Sequence, residues 1–294
     1  MGDSAATPAA SSACRSTGTT VCIVALPTGR SSGGKKASFW PAATKASAGR
    51  AEQVRSSIDA RFFKALASIA ERSFSDPPKG ESRMSRMTLW GFDGSTYVRT
   101  VKMVLAEKQF TDFEQVQVNV LAGEPKLPEH LARHPFGKVP VLDYDGLRIL
   151  ETSAIVRYLN DVLPGKSLIP AAPQARAYMD MVVGLIDAYG YGALVGGIAA
   201  YHLFPEFVGG KNDAMRQAGI ENSRKVISLA MQTKGTSPFI AGELSLADLY
   251  LAPIIAYVAM TPDMDGLLAV EGFSDWWTRV QALASFQATS PQPG

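Results

Sequence analysis

The chain has 294 residues, 46% of them hydrophobic, which suffices for one large domain or two ordinary ones. A formal net charge of +2 is too small for a nucleic-acid footprint. No uninterrupted apolar run approaches the ~18 residues of a membrane-spanning helix, and the most apolar region, 181–201, is broken by Asp187 and five glycines, so a soluble helical core is expected. Both cysteines, Cys14 and Cys22, lie near the start, which argues against a disulfide framework, a cysteine-ligated zinc or a cysteine nucleophile downstream. His130, His134 and His202 show no ligand spacing, and no metal is implied.

Residues 1–50 are rich in Ala, Ser, Gly and Thr and carry six basic residues against one acid, Asp3. That composition fits an organellar transit peptide, a disordered tail, or a start assigned upstream of initiation at Met84 or Met87. A helical stripe follows at Val54, Ile58, Phe62, Leu66 and Ile69, and Asp76-Pro77-Pro78-Lys79-Gly80 then breaks the chain. Residues 1–86 are accordingly read as a low-complexity extension.

From Thr88 the pattern changes. Residues 88–92 predict a strand ended by Asp93-Gly94, 97–109 a helix buried on Val98, Val101 and Leu105, and 113–118 a second strand. Residues 127–133 predict a short helix or turn. Strands at 139–142 and 147–150 flank Asp143-Tyr144-Asp145-Gly146, whose Asp-Gly end signals a hairpin. A helix at 152–162 stops at Pro164-Gly165. The order βαβαββα over 87–166 is that of a thioredoxin-like domain. Strand signals then disappear, and 174–200, 214–232, 246–259 and 274–283 predict helices of an all-helical domain over 173–288. Ser245-Leu246-Ala247-Asp248 is a capping-box variant that accounts for Asp248 as a structural residue.

Three motifs carry the functional reading: Gly94-Ser95-Thr96-Tyr97-Val98-Arg99, Arg133-His134-Pro135-Phe136-Gly137-Lys138-Val139-Pro140, and Leu150-Glu151-Thr152. Together they resemble the glutathione site of the cytosolic glutathione transferases, over residues 87 to about 287, with a turn similar to the serine-type phi and zeta classes. The resemblance implies that Ser95 stabilises the glutathione thiolate. It also implies that Val139-Pro140 is cis and offers the Val139 backbone to the cysteinyl residue. Glu151 would meet the γ-glutamyl ammonium, Thr152 and the helix start a carboxylate, and Lys126 and Lys138 the glycyl carboxylate. On the residues alone Ser95 also reads as a plain helix cap, the commonest use of a serine there, Pro140 as an edge-strand proline, and each lysine as a solvated charge. Thr96 and Tyr97 are the rivals of Ser95.

This sequence departs from the family at Thr152, where serine is usual, and at Lys138, where phi-like members often have Gln. The activity so implied is conjugation of glutathione to apolar electrophiles by a homodimeric, cytoplasmic detoxification transferase with glutathione as co-substrate and no further cofactor. No nucleic-acid or membrane partner is expected. A non-catalytic scaffold of the same fold and a glutathione-dependent isomerase or dehalogenase are the alternatives. The zeta isomerases carry a Ser-Ser-Cys turn, and Ser95-Thr96-Tyr97 lacks its cysteine.

Overall fold

The structure, a computed structural model, describes residues 87–291. The expectations for residues 1–86 lie outside the described residues. Strand β1 (Met87–Trp90) buries Met87 and Leu89 and leaves alternate residues half-covered, as period-two alternation dictates. Helix α1 (Thr96–Glu107) buries Val98, Val101, Leu105 and their neighbours. Strand β2 (Phe113–Val116) pairs in parallel with β1, Met87 opposite Phe113.

A short helix α2 (Pro128–Leu131) leads to β3 (Val141–Tyr144), which begins two residues later than the sequence suggests. The reason is local: Pro140 has no N–H to give to a ladder, and the Val139–Pro140 bond is cis. Strand β4 (Leu147–Leu150) returns antiparallel to β3 through a turn in which Asp145 and Gly146 both have positive φ, 51° and 74°. The expected hairpin is present. The sheet order is β2-β1-β3-β4, with β1 and β3 antiparallel, and α3 (Thr152–Val162) packs on α1.

The remainder is helical. Helix α4 runs continuously over Pro173–Leu203, with its hydrogen bonding widened to the π pattern over Ile186–Gly190 and Gly192–Ala199. Contrary to the sequence expectation, it is long and apolar enough to cross a bilayer by length and composition. Half of its most apolar window is nevertheless buried inside the protein, against α5 (Asp213–Lys234) and α6 (Leu246–Val258).

One of its glycines, Gly197, has a packing reason in Gly219 of α5. A Cβ on Gly197 would lie 2.8 Å from the Gly219 Cα, and one on Gly219 would lie 2.9 Å from the Gly197 Cα, so α4 and α5 touch backbone to backbone. Gly184, Gly192 and Gly196 face open space. Helices α7 (Met264–Leu268), α8 (Phe273–Gln281) and α9 (Ala284–Ala288) close the chain; α7 and α9 carry too few periodic residues to be foreseen.

The observed architecture is the thioredoxin-like βαβαββα order followed by helices, as expected. Helix α6 is its hub: Leu246, Leu249, Tyr250, Leu251, Ile254 and Ile255 are buried, each apolar side chain contributing ~1.5–3 kcal/mol. The Thr100 hydroxyl donates to the Leu249 carbonyl at 3.2 Å, which ties α1 to α6.

Candidate active site

Ser95 is the N-cap of α1, with extended backbone (φ −80°, ψ 123°), and its Oγ accepts the Val98 N–H at 3.3 Å. Capping uses only a lone pair of the hydroxyl. The O–H proton is left to donate, so cap and catalyst are compatible roles. Ser95 opens on a cavity of about 360 Å³, shared with Thr96 and Arg99 of α1 and with Pro253, Ala256, Tyr257 and Met260 at the end of α6. That volume is in the range of small-molecule pockets. The Tyr257 hydroxyl donates to the Gly94 carbonyl at 2.6 Å, fixing the turn that carries Ser95.

The two rivals of Ser95 are differently engaged. Thr96 is buried, and its hydroxyl has no partner among the described residues. The Tyr97 hydroxyl donates to Asp187 Oδ1 at 2.8 Å, and its ring stacks on Tyr191 at 5.0 Å and meets Tyr250 edge-on at 5.9 Å. Burial, and then the Asp187 charge, push the Tyr97 phenol far above its ordinary pKa.

The other candidates gather around the turn before β3. Pairing of Trp90 with Val141 brings the segment that leads to Ser95 beside the Val139–Pro140 step. Among the described residues the Val139 N–H and C=O have no hydrogen-bond partner, which leaves both available to an added extended peptide. Lys126 donates from Nζ to the Phe136 carbonyl at 2.9 Å. Its chain lies over Gly137, which has φ 58° and would place a Cβ 2.4 Å from the Pro125 oxygen, so only glycine fits there. Lys138 is exposed, and its carbonyl is held by His130 Nε2 at 2.8 Å.

Glu151 takes φ 66° at the head of α3, a sparsely populated conformation for a non-glycine residue. Its side chain is exposed, and Oε1 lies 4.0 Å from His134 Nε2. Thr152 is buried at the first turn of α3, close to the Tyr250 hydroxyl, which has no hydrogen bond of ordinary geometry.

Lys126, Lys138, Val139, Pro140, Glu151 and Thr152 thus surround one turn and one helix start, and Ser95 stands on the neighbouring helix start. A helix N-terminus favours an anion, and here two such termini border a pair of free backbone groups and an exposed carboxylate. The arrangement suits a small zwitterionic peptide.

The profile of the glutathione S-transferase N-terminal domain matches residues 85–161. Glutathione S-transferase 3 of Zea mays is 30% identical over 212 residues, covering 70% of this chain and 94% of that protein. The chain belongs to the glutathione S-transferase family. Glutathione S-transferase F13 of Arabidopsis thaliana is 28% identical across 70% of this chain and 95% of its own length. Among solved structures, maize glutathione S-transferase I in complex with an atrazine glutathione conjugate superposes with a TM-score of 0.61 at 27% identity, over 70% of this chain and 96% of that one.

Some residues beside these groups carry little signal in the sequence: His134 shows no role of its own within its motif, and Asp187 shows only as an interruption of an apolar run. Of the aromatic and polar groups along α4, Tyr191 packs on Tyr97 and Phe204 on Tyr257. Tyr201 and His202 belong instead to a network with Asp213, Arg216 and Asp263. Arg99 carried one usable signal, a charge inside the buried stripe of α1.

Proposed function

We propose that the protein conjugates glutathione to small electrophiles, with Ser95 as the residue that stabilises the thiolate. A free thiol has a pKa of ~8.5, so only a few per cent is thiolate at neutral pH. Lowering it by about two units takes roughly 2.7 kcal/mol of preferential thiolate stabilisation. The start of α1 contributes up to ~2 kcal/mol, and one hydrogen bond to the anion ~1.5–3 kcal/mol. Ser95 and its helix therefore suffice without a general base.

The observation that carries this reading is the Ser95 hydroxyl, which accepts from Val98 yet keeps its proton, at the mouth of a cavity walled by α1 and α6. In the bound state the Val139 N–H and C=O pair with the cysteinyl backbone, Glu151 meets the γ-glutamyl ammonium, and Thr152 with the α3 terminus meets the γ-glutamyl carboxylate. Lys126 and Lys138 face the glycyl carboxylate. Residues 87–166 form the glutathione half and 173–288 the acceptor half. A scaffold has no use for a cavity and a free hydroxyl at one turn, which favours the enzyme. We further propose a homodimer acting in the cytoplasm.

The test is glutathione-dependent turnover of chlorodinitrobenzene by the full chain, with thiolate absorbance of the binary complex read against pH. Turnover with a bound thiol pKa well below that of free glutathione is expected. Glutathione binding without turnover of any aryl halide, isothiocyanate or peroxide would move the reading to a binding protein.

A further inference from the structure

Arg99 sits one turn along α1 from Ser95 and lines the same cavity. It is only 5% exposed, yet no carboxylate is paired with it among the described residues. Three of its five N–H groups go to uncharged acceptors near the chain end. Nη2 donates to the Phe286 carbonyl at 2.8 Å and to Ser290 Oγ at 3.1 Å, and Nε to Thr289 Oγ1 at 3.4 Å. The guanidinium lies over the Phe286 ring, Cζ 4.2 Å from its centre. Nη1 has no acceptor among the described residues and is not among the fully occluded polar atoms.

A buried cation without a counterion is expensive, and its desolvation pulls the Arg99 pKa down to about 10. The one carboxylate on the cavity wall, Asp93, is already taken by Lys102 at 2.7 Å and Gln115 at 3.1 Å.

We propose that Arg99 makes this an acceptor pocket for anionic electrophiles, with Nη1 receiving a carboxylate on the acceptor. The proposal rests on the transferase reading above and adds the substrate class. The spacing supports it. Ser95 and Arg99 stand one helical turn apart on α1 and line the same cavity. An aryl halide with a para carboxylate can place its halogenated carbon at the sulfur and its anion at the guanidinium. The glutathione sulfur then forms a C–S bond to that carbon, the C–Cl bond breaks, and chloride leaves with the bonding pair; the thiol proton has already passed to solvent.

The experiment compares kcat/KM of the full chain for a chlorodinitrobenzoate, carboxylate para to chlorine, with that for the matching chlorodinitrobenzamide. The ratio is measured in the wild type, Arg99→Gln and Arg99→Lys, so that intrinsic reactivity cancels. Arg99→Gln should lower the benzoate-to-benzamide ratio by ~10-fold or more, the range of one hydrogen bond to a charged group. Arg99→Lys should keep the larger part of the preference. An unchanged ratio in Arg99→Gln, or no chloride release from either compound beside turnover of chlorodinitrobenzene, overturns the proposal while leaving the transferase intact; no turnover of any of the three, nor of an isothiocyanate or peroxide, overturns both.

Arg99 also anchors the chain end, so a second measurement uses the wild type alone. The glutathione conjugate of the benzoate should inhibit ~10-fold or more tightly than that of the benzamide, and equal inhibition overturns the assignment.

Discussion

Tyr97 and Asp187 join the two halves of the active-site region: the hydroxyl at the first turn of α1 donates to the carboxylate in the middle of α4 at 2.8 Å. The Tyr97 ring is held between Tyr191 and Tyr250, so the phenol is fixed in place as well as bonded. Burial raises the Asp187 pKa, and the Tyr97 hydrogen bond opposes that rise. A half-buried phenol that donates to a carboxylate is a strut. It is a poor candidate for stabilising a second anion.

Tyr97→Phe should therefore cost stability more than chemistry. Loss of one partly solvated hydrogen bond to a carboxylate predicts about 1 kcal/mol in urea unfolding, with the bound thiol pKa unmoved. Asp187→Asn should cost a similar amount, and the double variant less than the sum. A large upward shift of the thiol pKa in Tyr97→Phe would transfer the thiolate role from Ser95 to Tyr97.

Ser95→Ala should lower turnover by roughly 10²-fold while changing glutathione affinity little, as for removal of one preorganised donor to an anion. Ser95 stabilises the thiolate, so its removal raises the bound thiol pKa toward the free value, and activity should partly recover at alkaline pH. The Val98 N–H loses its cap in the same variant, which predicts a stability loss of ~1 kcal/mol. Ser95→Thr should restore both, and an Ala variant with wild-type turnover would remove Ser95 from the mechanism.

The elements were legible where period and punctuation agreed. Asp145-Gly146 fixed the hairpin and Pro164-Gly165 the end of α3, and both stand as read. The start of β3 slipped because Val139 looks like a strand residue, while Pro140 after it has no N–H to give to the ladder. The density of glycines in α4 was legible as a pattern but not as a cause. Gly197 matters because Gly219, twenty-two residues on, lies against it, and periodicity within one helix carries no information about its neighbour. The same holds for Asp187, whose partner Tyr97 is ninety residues away.

Asp248 was legible because its box is local, but its reach is wider than the box. Oδ2 accepts the Ser245 N–H at 3.0 Å and the Ser245 hydroxyl at 2.9 Å, and Oδ1 accepts the Ile240 N–H at 3.0 Å and the Trp276 indole N–H at 2.9 Å. Asp248→Ala leaves these buried donors unpaired and should cost ~3–5 kcal/mol. Asp248→Asn keeps one acceptor oxygen, sets an amide against the remaining donors, and should fall between. Guanidinium unfolding decides the order, and a loss below ~1 kcal/mol in the alanine variant would contradict it.

His134 predicts how glutathione binding depends on pH. Its Nδ1 accepts the Phe136 N–H at 3.3 Å, which assigns the proton of the neutral ring to Nε2, facing Glu151 Oε1 at 4.0 Å. Burial holds its pKa below the ordinary histidine value; Glu151 opposes this, while His130 and Lys138 add to it. The unfolded chain therefore takes up its proton first. The stability contributed by the neutral ring is full above ~6.5 and is lost as pH falls through the lower folded value. In the same window an imidazolium would break the Phe136 contact and compete with the glutathione ammonium for Glu151. S-methylglutathione, whose sulfur cannot ionise, isolates this effect from thiol activation. Its Kd by calorimetry should be flat through neutral pH and weaken only as pH falls through the lower folded value, with proton release on binding. His134→Gln should bind without that dependence, and superimposable profiles for the two proteins would show that His134 does not govern access to Glu151.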